Sequence, residues 1–263
     1  MAFFALPAAR AQSYHGSLTF QKNQYAVASV VVPFDDNVVT AAIKDYMSGK
    51  GYKDSRYKDF VVFRSVPIDP NDNVLFDAYF SINRKSRSEK DLTVVNLLPV
   101  KKGETLLPAN VEDSSFISRA MVYMNGLKPI ILTYSVQQEI LAQQEKLARI
   151  QTRMLHLKND SGDIAKKIRG YHGDLADNKN DQDKQSLELK AIPSGDAASL
   201  AKAQKKMDKL MDKQADYEKR LRNAMADAEK NRKDREDQQI LFNKESPALD
   251  ALRLKQQNLA VNP

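Results

Sequence analysis

The chain has 263 residues and no cysteine, and its 41 Lys+Arg against 34 Asp+Glu give a formal net charge of +7 at pH 7. The missing thiol excludes disulfides, thiolate zinc sites, a cysteine nucleophile and a lipidated N-terminal cysteine. Residues 1–134 hold 16 Lys+Arg against 13 Asp+Glu (+3), and residues 135–263 hold 25 against 21 (+4). Charge spread in this way lacks the basic stripe or tail of a nucleic-acid binder. It fits weak attraction to acidic partners or to an anionic membrane surface. No apolar run reaches the ~20 residues that span a bilayer.

Residues 1–11 read MAFFALPAARA. The apolar run from Phe3 to Leu6, with Ala9-Arg10-Ala11 ahead of Gln12, matches the end of a secretory signal peptide. It predicts a mature chain that starts at Gln12 and is exported to the periplasm or cell surface. Leu18–Lys22 and Tyr25–Val32 read as strands, rich in β-branched valines and separated by the turn residue Asn23. Pro33 stops the second strand. Asp35, Asp36 and Asn37 offer N-caps for a helix over Val38–Met47, whose apolar face is Val39, Ala42, Ile43 and Tyr46. Gly49 and Gly51 end it.

Three further strands are predicted over Phe60–Val66, Leu75–Asn83 and Leu92–Leu98. In the middle one Phe76, Ala78, Phe80 and Ile82 point one way and Asp77, Tyr79, Ser81 and Asn83 the other, which predicts one buried and one wet face. The connector from Arg84 to Lys90 reads as a charged hairpin loop. A second helix is expected over Asp113–Asn125, with Phe116, Ile117, Ala120, Met121 and Met124 inward. Gly126 closes it, and Pro129–Tyr134 leads into the next segment. The order β-β-α-β-β-β-α predicts a small, curved antiparallel sheet with two helices on one face.

The segment VVVPFDDNVVTAAIKDYMSGKGYKDSRYKDFVVFRSV, Val30 to Val66, resembles small bacterial domains with a TATA-binding-protein-like fold. Such domains occur in uncharacterised exported proteins, here followed by a coiled-coil hairpin. The likeness covers roughly residues 18–134 and is one of element order. It implies a shape and carries no chemistry. TATA-binding proteins bend DNA with paired aromatic wedges on a wide saddle. No such pairs stand out here, so DNA binding is not carried over.

From Ser135 to Phe242 the chain reads as two long helices folded back at Ile192–Asp196. Seam positions on the first are Val136, Ile140, Gln143, Leu147, Ile150, Met154, Leu157, Ser161, Ile164, Ile168, Tyr171, Leu175, Asn178, Gln182, Gln185, Leu189 and Ile192. Twelve of these seventeen are apolar at strict four-three spacing, the coiled-coil signature. Gly162, Gly170 and Gly173 each cost about 1 kcal/mol relative to Ala in a helix. The heptad phase survives across the polar patches 158–163 and 177–183, so one helix of ~87 Å is expected. The amides at the seam either set register or mark hydration; for residues 177–185 a loose, partly hydrated pairing is expected.

Pro193 breaks the helix, and Ser194 or Asp196 caps the next one. Leu200, Ala203, Met207, Leu210, Tyr217, Leu221, Ala224, Ala228 and Phe242 share one register on the second helix. A single bend between two amphipathic helices implies an antiparallel hairpin. Ser246-Pro247 reads as a cap and first-turn proline of a separate last helix. Its Leu249, Leu252, Leu259 and Val261 return to the base. The expected fold class is therefore α+β. Its parts are a signal remnant at 1–11, a sheet domain at 12–134, a coiled-coil hairpin at 135–245 and a C-terminal helix at 246–263.

Chemistry is sparse. His15, His156 and His172 have no carboxylate at metal-ligand spacing and read as solvated. No phosphate loop appears. No metal, cofactor or catalytic residue is expected, and neither is a concave polar pocket on the sheet domain. Arg84, Lys85, Arg87 and Lys90 form the one compact basic cluster, a contact for an anionic partner or simply a soluble hairpin tip. The expected function is a non-enzymatic cell-envelope scaffold or docking protein. It would present the hairpin to protein partners or to further copies of itself, with surface contact to a membrane at most. The alternative is a periplasmic holdase: basic coiled-coil arms on a β-rich body resemble the Skp-like chaperones of outer-membrane proteins.

Overall fold

The computed structural model describes residues 12–67, 75–89, 91–102, 114–193 and 195–261. Its strands are β1 (Tyr14–Phe20), β2 (Asn23–Val32), β3 (Asp54–Tyr57), β4 (Phe60–Pro67), β5 (Leu75–Arg84) and β6 (Thr93–Lys101). Its helices are α1 (Asp36–Gly49), α2 (Ser114–Ala191) and α3 (Ala197–Val261). The chain divides into two compact units, residues 1–141 with 252–263, and residues 142–251. The signal-like stretch 1–11 and Lys90 lie outside the described residues.

The first unit holds one antiparallel sheet in the order β1-β2-β6-β5-β4-β3. It has six strands and is larger than expected. β3 has no apolar alternation, and all four of its residues are exposed, so its sequence carries no strand signal. It forms by pairing with β4, Tyr57 opposite Phe60, across a two-residue turn in which Lys58 has φ 52°. The first hairpin also turns earlier than expected. Gln21 and Lys22, at φ 50° and 68°, make the two-residue turn with paired positive φ that matches the twist of antiparallel strands.

One face of the sheet packs on helices. Val30, Phe63, Phe80 and Leu97 from the strands meet Ile43 and Met47 of α1 and Ala120, Met124 and Ile131 of α2. Asp35 caps α1 by accepting from the Asn37 amide at 3.0 Å. That backbone bond is the main cause holding its carboxyl below the usual range. At the other end Gly51 takes φ 88°, and the amides of Gly51 and Tyr52 donate to the carbonyls of Ser48 and Met47.

The opposite face is not wet. Tyr79 is 8% exposed and Ser81 4%, which corrects the expectation for β5. Tyr25, Val27, Phe60, Val62, Leu98 and Val100 are buried with Tyr79 in a second core. Distances show how. Phe20 on edge strand β1 lies 5.0 Å from Phe60 on β4 and 6.1 Å from Tyr57 on the other edge strand, β3. Three strands separate β1 from β4 in the sheet order, a gap of about 19 Å if the sheet were flat. The sheet is therefore rolled until its edges share one aromatic cluster, which also protects both edges from further pairing. A bulge helps the roll. The β4–β5 register shifts between Phe63 and Val66, with Ser65 at φ 55°. Asp77 accepts from the Ser65 amide at 3.0 Å and from the Arg64 guanidinium. Bulges bend a strand and raise its local twist.

α2 starts within the expected second helix and continues without a break past Gly126 and Pro129. A proline inside a helix costs ~3 kcal/mol. Here Met124, Leu127 and Ile131 on both sides of it are fully buried, and their packing outweighs the local signal. α3 likewise runs through Ser246-Pro247, where a separate helix was expected. Pro247 is exposed, so water can serve the carbonyl left without its amide donor. Near the end of α3, Gln256 bonds Gln137 and Lys255 pairs with Glu139 in the first unit; Leu259 is half-buried.

In the second unit α2 and α3 lie packed together. The chain reverses at residues 192–196, where the Asp196 amide donates to the Pro193 carbonyl at 3.0 Å. Asp196 caps α3 by accepting from the Ser199 amide at 3.0 Å; Ser194 lies outside the described residues.

The β1–β2 contact yields a prediction. A Cβ on Gly16 would stand 2.2 Å from Ser29 Oγ. Gly16→Ala should lower stability by about 1–3 kcal/mol, as overpacking does, and adding Ser29→Ala should recover part of it. Urea denaturation of the two variants checks this.

Candidate functional site

The long helix pair carries the most organised constellation in the molecule. From Gln143 to Leu189 the residues of α2 that escape full exposure recur at four-three spacing, with Ala165 and Ser186 beside the stripe and Leu147, Ile150 and Leu157 buried within it. Met154, Ile164, Ile168, Tyr171, Leu175 and Leu189 are half-buried, as are Met207, Leu210, Tyr217 and Leu221 of α3. Ile140, buried, belongs to the first unit. Leu200 departs from the expected seam: it is 46% exposed. It lies in the first turn of α3, where the facing helix is ending.

Amide side chains lock the pair. Gln143 Nε2 donates to the Glu245 carbonyl at 2.9 Å, and Asn231 Nδ2 to the Leu157 carbonyl at 3.0 Å. Asn178 Nδ2 donates to the Leu210 carbonyl at 3.0 Å, and Gln185 Nε2 to the Ala203 carbonyl at 3.4 Å. Along α2 the positions climb 143, 157, 178, 185, while along α3 they fall 245, 231, 210, 203. The steps are equal and are whole heptads. The helices are thus antiparallel and in one register over 42 residues, ~63 Å at 1.5 Å per residue.

The loose, hydrated pairing expected for residues 177–185 is overturned by these bonds. Asn178 and Gln185 are buried, and Gln182 donates to both the Leu210 carbonyl and Gln214 Oε1. Sequence reasoning missed Asn231 and Glu245. The register from Ala224 continues to 231, 238 and 245, so the signal was present; its polar occupants hid it.

Glu245 is the most tightly held carboxylate of the seam. Gln143 Nε2 donates to it at 3.0 Å and Lys146 Nζ lies 2.8 Å away. The Gln143 bond first, then Lys146, holds its carboxyl below the ordinary glutamate range.

Other candidate residues are dispersed. Arg84 bonds Asp36 at 3.0 Å and Asp35 at 3.2 Å, and Lys85 pairs with Glu89 at 3.1 Å. Two members of the basic cluster are therefore engaged by carboxylates of the chain itself, while Arg87 is exposed. His156 and His172 are exposed on α2. Among the described residues no group of three or more His, Asp or Glu could hold a metal ion, and no helix is long and apolar enough to cross a membrane.

The first unit also carries a cleft of about 510 Å³ beside α1 and α2. Tyr46, Tyr52 and Tyr123 line it with Lys50 and Arg119. Burial pushes the Tyr123 phenol up, and its hydroxyl donates to Met47 Sδ at 3.2 Å. None of its described lining residues is a carboxylate, histidine, serine or threonine.

Two outcomes follow. Replacing Asn178, Gln185 and Asn231 together by Leu should raise the melting temperature while loosening register, because polar seam residues give specificity at a cost in stability. Circular dichroism with light scattering would show higher melting and mixed association states. The lowered Glu245 pKa means that it binds protons less readily folded than unfolded. Its stabilising effect is full above the ordinary glutamate range, ~4.3, and disappears as pH falls through the lower folded value. Glu245→Gln should melt lower at pH 7 and lose less on acidification than the parent chain, a comparison made by thermal melts at both pH values.

Comparison of the chain with protein-family models, with curated proteins and with solved structures finds no match.

Proposed function

We propose that this is a non-enzymatic scaffold or docking protein of the cell envelope. Its helix pair is a coiled-coil hairpin that presents its flanks to protein partners. The observation that carries this reading is the register lock: buried amides spend their bonding capacity holding two long helices in one alignment. Such a device gives a fixed surface, which a docking element needs. Envelope placement is supported by the signal-like pattern from Phe3 to Ala11. The likeness of Val30–Val66 to TATA-binding-protein-like domains belongs to the same proposal, supported by its strand–helix–strand order.

Leu155 and Met211, each 58% exposed, are the places to probe. Photo-crosslinking from these positions in cells should trap a discrete envelope protein, and Leu155→Glu should abolish the adduct. Mass spectrometry of the mature N-terminus should find Gln12. No discrete adduct, combined with suppression of client aggregation at stoichiometric ratios, would replace this reading with the Skp-like holdase.

A further inference from the structure

The two flanks of the helix pair differ in chemistry. Leu155 and Lys158 of α2 line one groove of about 550 Å³ together with Arg232, Glu236 and Gln239 of α3, so these positions share a flank. The tip cleft lined by Glu188, Ser199, Lys202 and Lys206 marks the other flank, and Lys206 pairs with Glu188 across it. Helical spacing extends each flank along both helices.

On the tip-cleft flank, α2 positions from Lys146 to Glu188 are all charged except His156 and Gly170. The matching α3 positions from Lys202 to Asp237 are all charged except Asn223. On the groove flank the same stretch carries Ala148, Leu155, Gly162, Ala165 and Ala176 on α2, with Met211, Ala215 and Met225 on α3. Leu155, Met211 and Met225 are 56–58% exposed. One flank is thus built for water. The other has small residues that permit close approach and three large apolar side chains.

The charges that remain on the groove flank differ between the helices, mostly cationic on α2 and mostly acidic on α3. α2 contributes the cations Lys158, Arg169 and Lys179, which make no ion pair among the described residues. α3 contributes the carboxylates Asp208, Glu218, Glu229 and Glu236 against the cations Arg222 and Arg232, and α2 adds the single carboxylate Asp183. The bonded pairs 157 with 231 and 178 with 210 set the levels: 158, 169 and 179 stand level with 230, 219 and 209.

We infer that a second copy of this chain packs on the groove flank. The two-fold axis runs along the helices, so that α2 of each lies on α3 of the other. That operation keeps every residue at its own level. It brings Lys158, Arg169 and Lys179 within one residue of Glu229, Glu218 and Asp208 of the partner subunit. Arg222 falls opposite Ala165, and Arg232 falls between Leu155 and Lys158, two residues from the level of Lys158. Glu229 already pairs with Arg232 of its own helix at 2.8 Å and stays ionised, its pKa held down to about 2. Arg232 engages both oxygens of Glu229, its Nε on Oε2 at 2.8 Å, so Lys158 of the second copy approaches the open side of an existing pair. This inference rests on reading the helix pair as a docking element, and it names the occupant of one flank.

Sedimentation equilibrium on the full chain tests it. A dimer of the 29.7 kDa chain is expected. K158E/R169E/K179E should weaken it about tenfold, the scale of three exposed ion pairs. Adding D208K/E218K/E229K to the same chain should restore it. Ala176→Glu, a single exposed change that the fold tolerates, should also weaken it, and Lys167→Glu on the other flank should not. Circular dichroism confirms helix content in each variant. A monomer at every concentration overturns the proposal, as does a dimer indifferent to the groove-flank changes. Either failure leaves the docking reading to its own crosslinking test, whose adduct would then be a different protein.

Discussion

An amphipathic helix cannot leave its apolar stripe in water, and α2 carries such a stripe for its whole described length. Its first turns are covered by the sheet, through Ala120, Met124 and Ile131, and from Leu147 onward by α3. Apolar cover alone is non-directional and would tolerate a slide of α3 by one heptad. Such a slide moves the Asn178 donor from Leu210 to a different carbonyl and leaves Gln185 beside the reversal. Four cross-helix amide bonds at about 1 kcal/mol each separate the registers by a few kcal/mol. Against a total stability of roughly 5–15 kcal/mol, that gap decides the alignment.

The first unit meets the same constraint differently. Its helices cover one sheet face, and among the described residues no second layer covers the other. β2 is buried on both sides, with Ala26, Ala28 and Val30 facing one way and Tyr25, Val27 and Ser29 the other. Rolling the sheet resolves this. Phe20, Tyr57 and Phe60 come from opposite ends of the strand order and close the second core with edge-to-face contacts. The cost is local: positive φ at Gln21, Lys22, Lys58 and Ser65, where glycine or asparagine would sit more easily. Asp77 compensates at one of these points by bonding the Ser65 amide.

Sequence reasoning reached whatever a short window can hold. The Asp35 cap, the inward face of α1, five of the six strands, the Pro193 reversal and the four-three seam all announce themselves within a turn or two. What escaped depends on partners far along the chain. β3 is a strand only because β4 offers it an edge. Tyr79 and Ser81 are buried only because β1 comes round to meet β4. Gly126 and Pro129 look like a helix end until the burial of Leu127 and Ile131 is known. At the seam, Leu and Ile positions were legible, whereas the amides were ambiguous between hydration and bonding. Only the facing carbonyls of α3 settle Asn178 and Gln185. Asn231 and Glu245 show the converse: fixed by register, yet invisible to a search for apolar residues.

The asymmetry of the two flanks is the last feature that helix formation by itself does not explain. Alanine is the best helix former, so Ala148, Ala165 and Ala176 need no partner if considered singly. Propensity, however, acts on all exposed faces alike and would scatter alanines over both flanks. It also argues against Gly162 and gives no reason for Leu155, Met211 and Met225 to stand in water. A helix pair that stood alone would face solvent equally on both sides, and solubility would favour charge on both. The tip-cleft flank is charged at almost every position and the groove flank at fewer than half. Three cations of α2 on the other flank, Lys158, Arg169 and Lys179, come within one residue of the level of three carboxylates of α3 under a two-fold rotation. Self-association through that flank accounts for the small residues, the exposed apolar ones and the charge order with a single contact.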